Sequence, residues 1–239
     1  MSGHSKWATI HRKKGELDAA RGKVFQKIAK EIYVAARGTN GDPDSNPGLR
    51  AVIEKARGNN MPKDNIQKAI DKAVGNNGAE NYEQVRYEGY GAGGVALMID
   101  CLTDNRNRTA MLVRSTLTKR GGNLGTDGSV SYLFERKGVI VIDKTIDEDS
   151  VMMTALDNGA EDVVVNDDSY EIYTAPDSFL KVKDSLELLG VKEFLTSEIT
   201  FVAKNSVELD DETTEKVMDL VEQLEDIDDV QNVYHNLSL

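Results

Sequence analysis

Three histidines and one cysteine are the usual nucleophiles and metal ligands that this chain of 239 residues offers. His4 and His11 stand seven residues apart, with no cysteine or paired carboxylate beside them, which is not a metal-ligand spacing. His235 lies in an acidic tail, no G-x-S-x-G elbow exists, and no nucleophile–base–acid set can be assembled. Gly89-Tyr-Gly91-Ala-Gly-Gly94 matches G-x-G-x-x-G letter by letter, but Val95-Ala-Leu-Met-Ile follows it and reads as a strand. A dinucleotide site needs a helix there, whose N-terminus holds pyrophosphate. The carboxylate runs Asp147–Asp149, Asp167-Asp168, Asp210–Glu212 and Glu225–Asp229 have no catalytic partner and read as helix N-caps and solvated faces. No enzyme, metal, cofactor or small-molecule substrate is expected.

The chemistry that the residues do support is the neutralisation of phosphate. Lys6, Arg12, Lys13, Lys14, Arg21, Lys23, Lys27 and Lys30 crowd the first thirty positions, with His11 among them. Trp7, the chain's one tryptophan, sits inside the cluster, where it can stack on a base. A second candidate is the loop Gly121–Ser129, whose four glycines and Ser/Thr residues can turn amides toward a phosphate beside Arg106 and Arg108. The same composition suits an ordinary flexible connection. Charge is segregated along the chain. Residues 1–74 hold 15 Lys/Arg against 8 Asp/Glu, and residues 140–239 hold 6 against 26, in a chain of net charge −12. A basic end attracts polyanions that an acidic end repels.

These residues need positioning elements. Over Leu17–Arg37 the apolar stripe Ala20, Val24, Ile28, Ile32 and Ala35 predicts a helix, with Lys23, Lys27, Lys30 and Arg37 opposite, in an arc of roughly 80°. Pro47 and Pro62 open two more helices, with Leu49, Val52, Ile53 and Ala56, then Ile66, Ala69, Ile70, Ala73 and Val74, turned inward. Strands Tyr82–Tyr90 and Val95–Leu102 follow as a hairpin, then a helix capped by Asp104 or Asn105 with Leu112, Val113, Thr116 and Leu117 buried, and a strand at Val130–Phe134.

Residues 138–203 make a self-contained β-α-β-β-α-β pattern, which suggests a ferredoxin-like unit. Asp211–Leu224 and Val230–His235 add a helix and a strand that the segment before the insertion lacks. The expected class is α+β: a helical basic domain (1–78), then two ferredoxin-like α+β domains, one (138–203) inserted in the other (79–135 plus 206–239). Cys101 is expected as a small core residue. No run of eighteen apolar residues is present, and Glu16 and Asp18 follow the basic start, so a cytoplasmic protein without a membrane partner is expected.

Several runs resemble the YebC family: Gly3-His-Ser-Lys-Trp-Ala8, Asp18-Ala-Ala-Arg21-Gly-Lys23, Asn59-Asn-Met-Pro62, Tyr87–Val95, Leu102–Thr109 and Gly121–Val130. The match runs through the whole chain in order. The resemblance implies a helical head, two α+β domains and no catalysis. It also implies a role in gene expression, since the family includes probable transcriptional regulators and a mitochondrial translational activator of cytochrome oxidase. Two polyanions are compatible with that: duplex DNA, for a regulator of transcription, and ribosomal RNA, for a translation factor assisting elongation through difficult peptide sequences. A protein-interaction adaptor using the acidic part is a third possibility. Ile10-His-Arg-Lys-Lys14 displaces a histidine found one place later in many members, and Ala92 stands where proline is common.

Overall fold

The computed structural model describes residues 18–75 and 81–238, the first few of them (18–21) without their side chains. The described chain forms two units, 18–131 with 209–235 and 132–208 with 236–238.

The first unit opens with three helices, α1 (Asp18–Ala36), α2 (Pro47–Gly58) and α3 (Lys63–Gly75). Asn46 caps α2 by accepting from the Leu49 amide, and Pro47 sits at its first turn, where a missing N–H costs nothing. α1 packs against both of the others. Ile28, Ile32, Tyr33, Leu49, Ile53, Ile66 and Ile70 form a buried cluster. Val74 and Leu112, expected inside, are exposed.

The same unit holds an antiparallel sheet of β1 (Glu83–Tyr90), β2 (Ala96–Thr103), β3 (Asn123–Leu124) and β8 (Val230–His235), in the order β3-β1-β2-β8. Helices α4 (Arg106–Lys119) and α7 (Asp211–Glu225) pack on it and on each other. Their inward residues Val113, Leu117, Val217, Leu220 and Leu224 are fully buried. Cys101 is buried in β2, and burial pushes its thiol up to about 12. The G-x-G-x-x-G segment is a hairpin turn, with a short 3-10 turn at Ala92–Gly94.

The expected strand Val130–Phe134 is not formed. Residues 131–133 make a 3-10 turn with Tyr132 exposed, and Phe134 instead begins the next strand. The third strand of this sheet is the two-residue β3, inside the glycine loop. It depends on close backbone approach: a Cβ on Gly89 would stand 2.6 Å from the Asn123 carbonyl oxygen.

The second unit comprises β4 (Phe134–Asp143), α5 (Glu148–Asp157), β5 (Ala160–Val165), β6 (Ser169–Thr174), α6 (Phe179–Leu189) and β7 (Thr196–Ala203). Its sheet order, β5-β6-β4-β7, is antiparallel throughout and is the ferredoxin-like arrangement. α5 and α6 cover one face, burying Ile140, Ile142, Ile172, Val151, Val182 and Leu186. Helix α6 starts at Phe179, later than Pro176, which lies before it. The fold is therefore α+β, a helical region followed by two sheet-and-helix layers, with the second sheet placed in sequence between the elements of the first.

Candidate nucleic-acid interface

Of the expected basic stripe of α1, Lys23, Lys27 and Lys30 are turned onto the chain's own acidic turn after α7, while Arg37 Nη2 donates to Asn81 Oδ1 at 2.5 Å. Lys23 Nζ donates to Asp226 Oδ1 at 2.7 Å. Lys27 Nζ donates to the Glu225 carbonyl oxygen at 2.8 Å. Lys30 Nζ donates to the Asp228 carbonyl oxygen at 2.8 Å and to Asp229 Oδ1 at 3.1 Å. The cause is local. A helix C-terminus carries unsatisfied carbonyls and a partial negative charge. The last turn of α7 has no basic residue of its own, and Asp226, Asp228 and Asp229 add to the negative potential. The cations that balance it come from α1. A cleft of about 270 Å³ remains beside these lysines, walled also by Tyr33, Tyr82 and Lys72. The two rings meet edge to face at 5.6 Å.

Asp229 is the centre of this junction. It is 4% exposed and lies just before β8. Its Oδ2 accepts from Arg108 Nη2 at 2.7 Å and from Thr109 Oγ1 at 2.9 Å, while Oδ1 holds Lys30. Burial works against the charged carboxylate, but Arg108, Lys30 and Thr109 outweigh it and hold the carboxyl below the usual aspartate range. Asp229, together with Asp104, in turn raises the Arg108 guanidinium above its ordinary value. Arg108 is thus tied to both aspartates, one of them 121 residues further along the chain.

The glycine loop 121–129 also closes on an internal anion. Glu88, on β1 and 5% exposed, accepts from the amides of Gly128 at 2.9 Å, Val130 at 2.6 Å and Ser131 at 2.8 Å. The Gly125 amide donates to the Glu88 carbonyl oxygen at 2.7 Å. Burial opposes ionisation of Glu88, and the three amides together overcome it and lower the carboxyl below the usual glutamate range. The amides that composition offered to a phosphate thus already hold a carboxylate. Ser129 gives its carbonyl oxygen to the Tyr90 hydroxyl at 2.8 Å, and its Oγ is buried.

Of the remaining candidates, Arg106 is exposed at the start of α4 and gives only its carbonyl oxygen, to the Tyr87 hydroxyl. Lys6, Trp7, His11, Arg12, Lys13 and Lys14 lie outside the described residues, as does the side chain of Arg21. Sequence reasoning missed Asp229, which stands in a carboxylate run that reads as solvated, and did not single out Glu88. One signal was present for Glu88: it falls in a strand flanked by glycines and apolar residues, where a carboxylate needs donors.

No helix among the described residues is long and apolar enough to cross a membrane. Comparison with known proteins gives a consistent answer along the whole chain. A family model described as the TACO1/YebC protein N-terminal domain matches residues 5–76, and one described as the TACO1/YebC second and third domain matches residues 82–237. A protein of Geobacillus kaustophilus named probable transcriptional regulatory protein is 55% identical over 240 residues, covering 99% of this chain and 97% of that one. One of the same name from Francisella philomiragia is 52% identical over 239 residues, covering 100% and 96%. The crystal structure of a conserved hypothetical protein from Aquifex aeolicus superposes with a TM-score of 0.80 at 46% identity, covering 94% of this chain and 93% of that one. With both family models matched in order and relatives more than half identical end to end, the chain belongs to the TACO1/YebC family.

Proposed function

We propose that this protein is a cytoplasmic, non-enzymatic regulator of gene expression that binds nucleic acid, and that its target is duplex DNA in the control of transcription. One observation carries the reading: a net-negative chain concentrates its cations at one end, 15 Lys/Arg against 8 Asp/Glu over residues 1–74. The relatives' shared name, probable transcriptional regulatory protein, supports transcription as the process. Lys6, Trp7, Arg12, Lys13 and Lys14 form the contact, and the α1 lysines join it when a polyanion displaces the acidic turn. A second reading, ribosomal RNA as the target, is favoured by the excess of 26 acids over 6 bases in residues 140–239. A body so negative suits a confined site better than a long duplex.

The test pairs a gel shift on duplex DNA with ribosome cosedimentation from lysate, with and without nuclease. Wild type should shift the duplex, and Lys13→Glu/Lys14→Glu should lose the shift while keeping its thermal transition. Binding to ribosomes alone would transfer the function to translation. Binding to neither would refute both readings.

A further inference from the structure

Helix α4 carries Arg106, Arg108, Arg114 and Lys119, is followed by Arg120, and contains no carboxylate. In a chain with 41 acidic residues that is an unusual fourteen-residue stretch. Two of these cations are neutralised within the fold, Arg108 by Asp104 and Asp229 and Arg120 by Asp219 at 2.5 Å. Arg106, Arg114 and Lys119 are exposed and make no ion pair among the described residues. Arg114 belongs to the outward side of the helix, Lys119 to its last turn, and Arg106 to its first turn, where it is exposed although it shares the line of Val113 and Leu117. Asn107, Met111, Arg114 and Thr118, all exposed, recur at steps of four, three and four residues, which puts them within about 60° of arc on one stripe. Arg106 and Lys119 lie at the two ends of the helix, each roughly 110° round from the middle of the stripe. The stripe is roughly 17 Å long, at about 1.5 Å per residue.

We infer that the exposed surface of α4 is a second nucleic-acid contact, with Arg114 on a phosphate from the stripe, Arg106 and Lys119 reaching phosphates from the two end turns, and Asn107 and Thr118 supplying neutral hydrogen bonds. The assignment rests on the proposed nucleic-acid function and locates a second part of its interface. Phosphate fits the face better than a protein partner does. Met111 and Leu112 are its only large exposed apolar residues, too few for the apolar core of a protein interface. The stripe has no anion of its own, whereas the α1 lysines already have one. Contacts of this kind fix orientation without reading bases, so the gain in affinity is the same for any sequence.

The experiment compares full-length wild type with Arg106→Ala/Arg114→Ala/Lys119→Ala and with a control of equal charge change on the second unit, Lys181→Ala/Lys192→Ala/Lys204→Ala. The probes are a mixed-sequence duplex DNA and purified ribosomes, titrated across a salt series. Loss of three phosphate contacts should weaken binding at least about tenfold at low salt. It should also flatten the slope of log K against log salt by up to about 2.7 on duplex DNA. The control should match wild type, and Arg114→Lys should retain most of the affinity. If wild type binds while the α4 variant and the control behave alike, the α4 site is wrong and the proposed function stands. If wild type binds neither probe, the proposed function itself fails and the α4 site with it. If the α4 variant loses its thermal transition, Arg114→Glu alone decides the matter by the same two readouts.

Discussion

Replacing Asp229 by Asn should destabilise the first unit by about 2–3 kcal/mol at neutral pH. The substitution keeps size and shape and removes only the charge. Charge-assisted hydrogen bonds contribute about 1.5–3 kcal/mol each, and Asp229 makes two, to Arg108 and Lys30. The full sum does not apply. The Arg108 side chain is 43% exposed and keeps Asp104, so it is largely resolvated when Asp229 loses its charge. The Lys30 side chain, 19% exposed, keeps the Asp228 carbonyl oxygen and suffers more. For a unit of this size the loss corresponds to roughly 5–10 °C in Tm. The pH dependence follows from the direction of the shift. The folded carboxyl titrates below its unfolded value of about 3.9, so its contribution is complete above that value and is lost as pH falls through the folded one. Calorimetry of the full chain should show a constant gap between wild type and variant from neutral pH down to about pH 5, closing below about pH 4. A double-mutant cycle with Arg108→Gln should give a coupling of about 1 kcal/mol. A variant as stable as wild type at pH 7, or a gap that ignores pH, would falsify the role given to Asp229.

Other expectations follow from the same structure. Glu88→Gln presents an amide to three backbone N–H groups, so the amides of Gly128, Val130 and Ser131 should exchange with solvent faster, at a cost of about 1–3 kcal/mol. Because Glu88 is shifted down, acid should produce the same loosening in wild type as pH falls through its folded value; unaltered exchange in both would contradict the anion-cradle description. Asp226→Asn removes a pair whose partners are 48% and 55% exposed, so stability should move by less than about 1 kcal/mol, while the release of Lys23 raises affinity for duplex DNA a few-fold. Equal affinity would mean that the acidic turn does not compete with nucleic acid. A fragment spanning 134–203, proposed as an independent domain, should unfold in one cooperative calorimetric transition, and a featureless trace would count against it.

Much of the architecture was legible because it obeys simple periods. In α7, Val217, Leu220, Val221 and Leu224 lie at steps of three, one and three, and all four are buried. Where polar groups decide the structure, periodicity misleads. Val130, Tyr132 and Phe134 alternate like a strand, yet Glu88 draws the amides of 128, 130 and 131 inward and bends the chain into a turn. The same applies to α4, where Leu112 is exposed and Thr109 is buried because its hydroxyl serves Asp229. The lysine stripe of α1 was legible in its spacing. Its partner was not, since the acidic turn lies about two hundred residues away and charge counts carry no such pairing.

The register of β4 against β7 has a consequence for how such a chain tolerates change. Phe134 lies opposite Ala203, and the Lys204 amide donates to the Leu133 carbonyl oxygen at 2.8 Å. The chain therefore leaves for the ferredoxin-like segment and returns from it on neighbouring strands, about 5 Å apart. To the rest of the molecule, everything between those two residues is topologically a hairpin loop. Closing a loop whose ends are held by their own pairing adds little entropy with length. The segment behaves as a cassette: gene-level exchange, lengthening or loss of 135–202 meets no geometric obstacle at its ends, provided that the Leu133–Lys204 rung is kept.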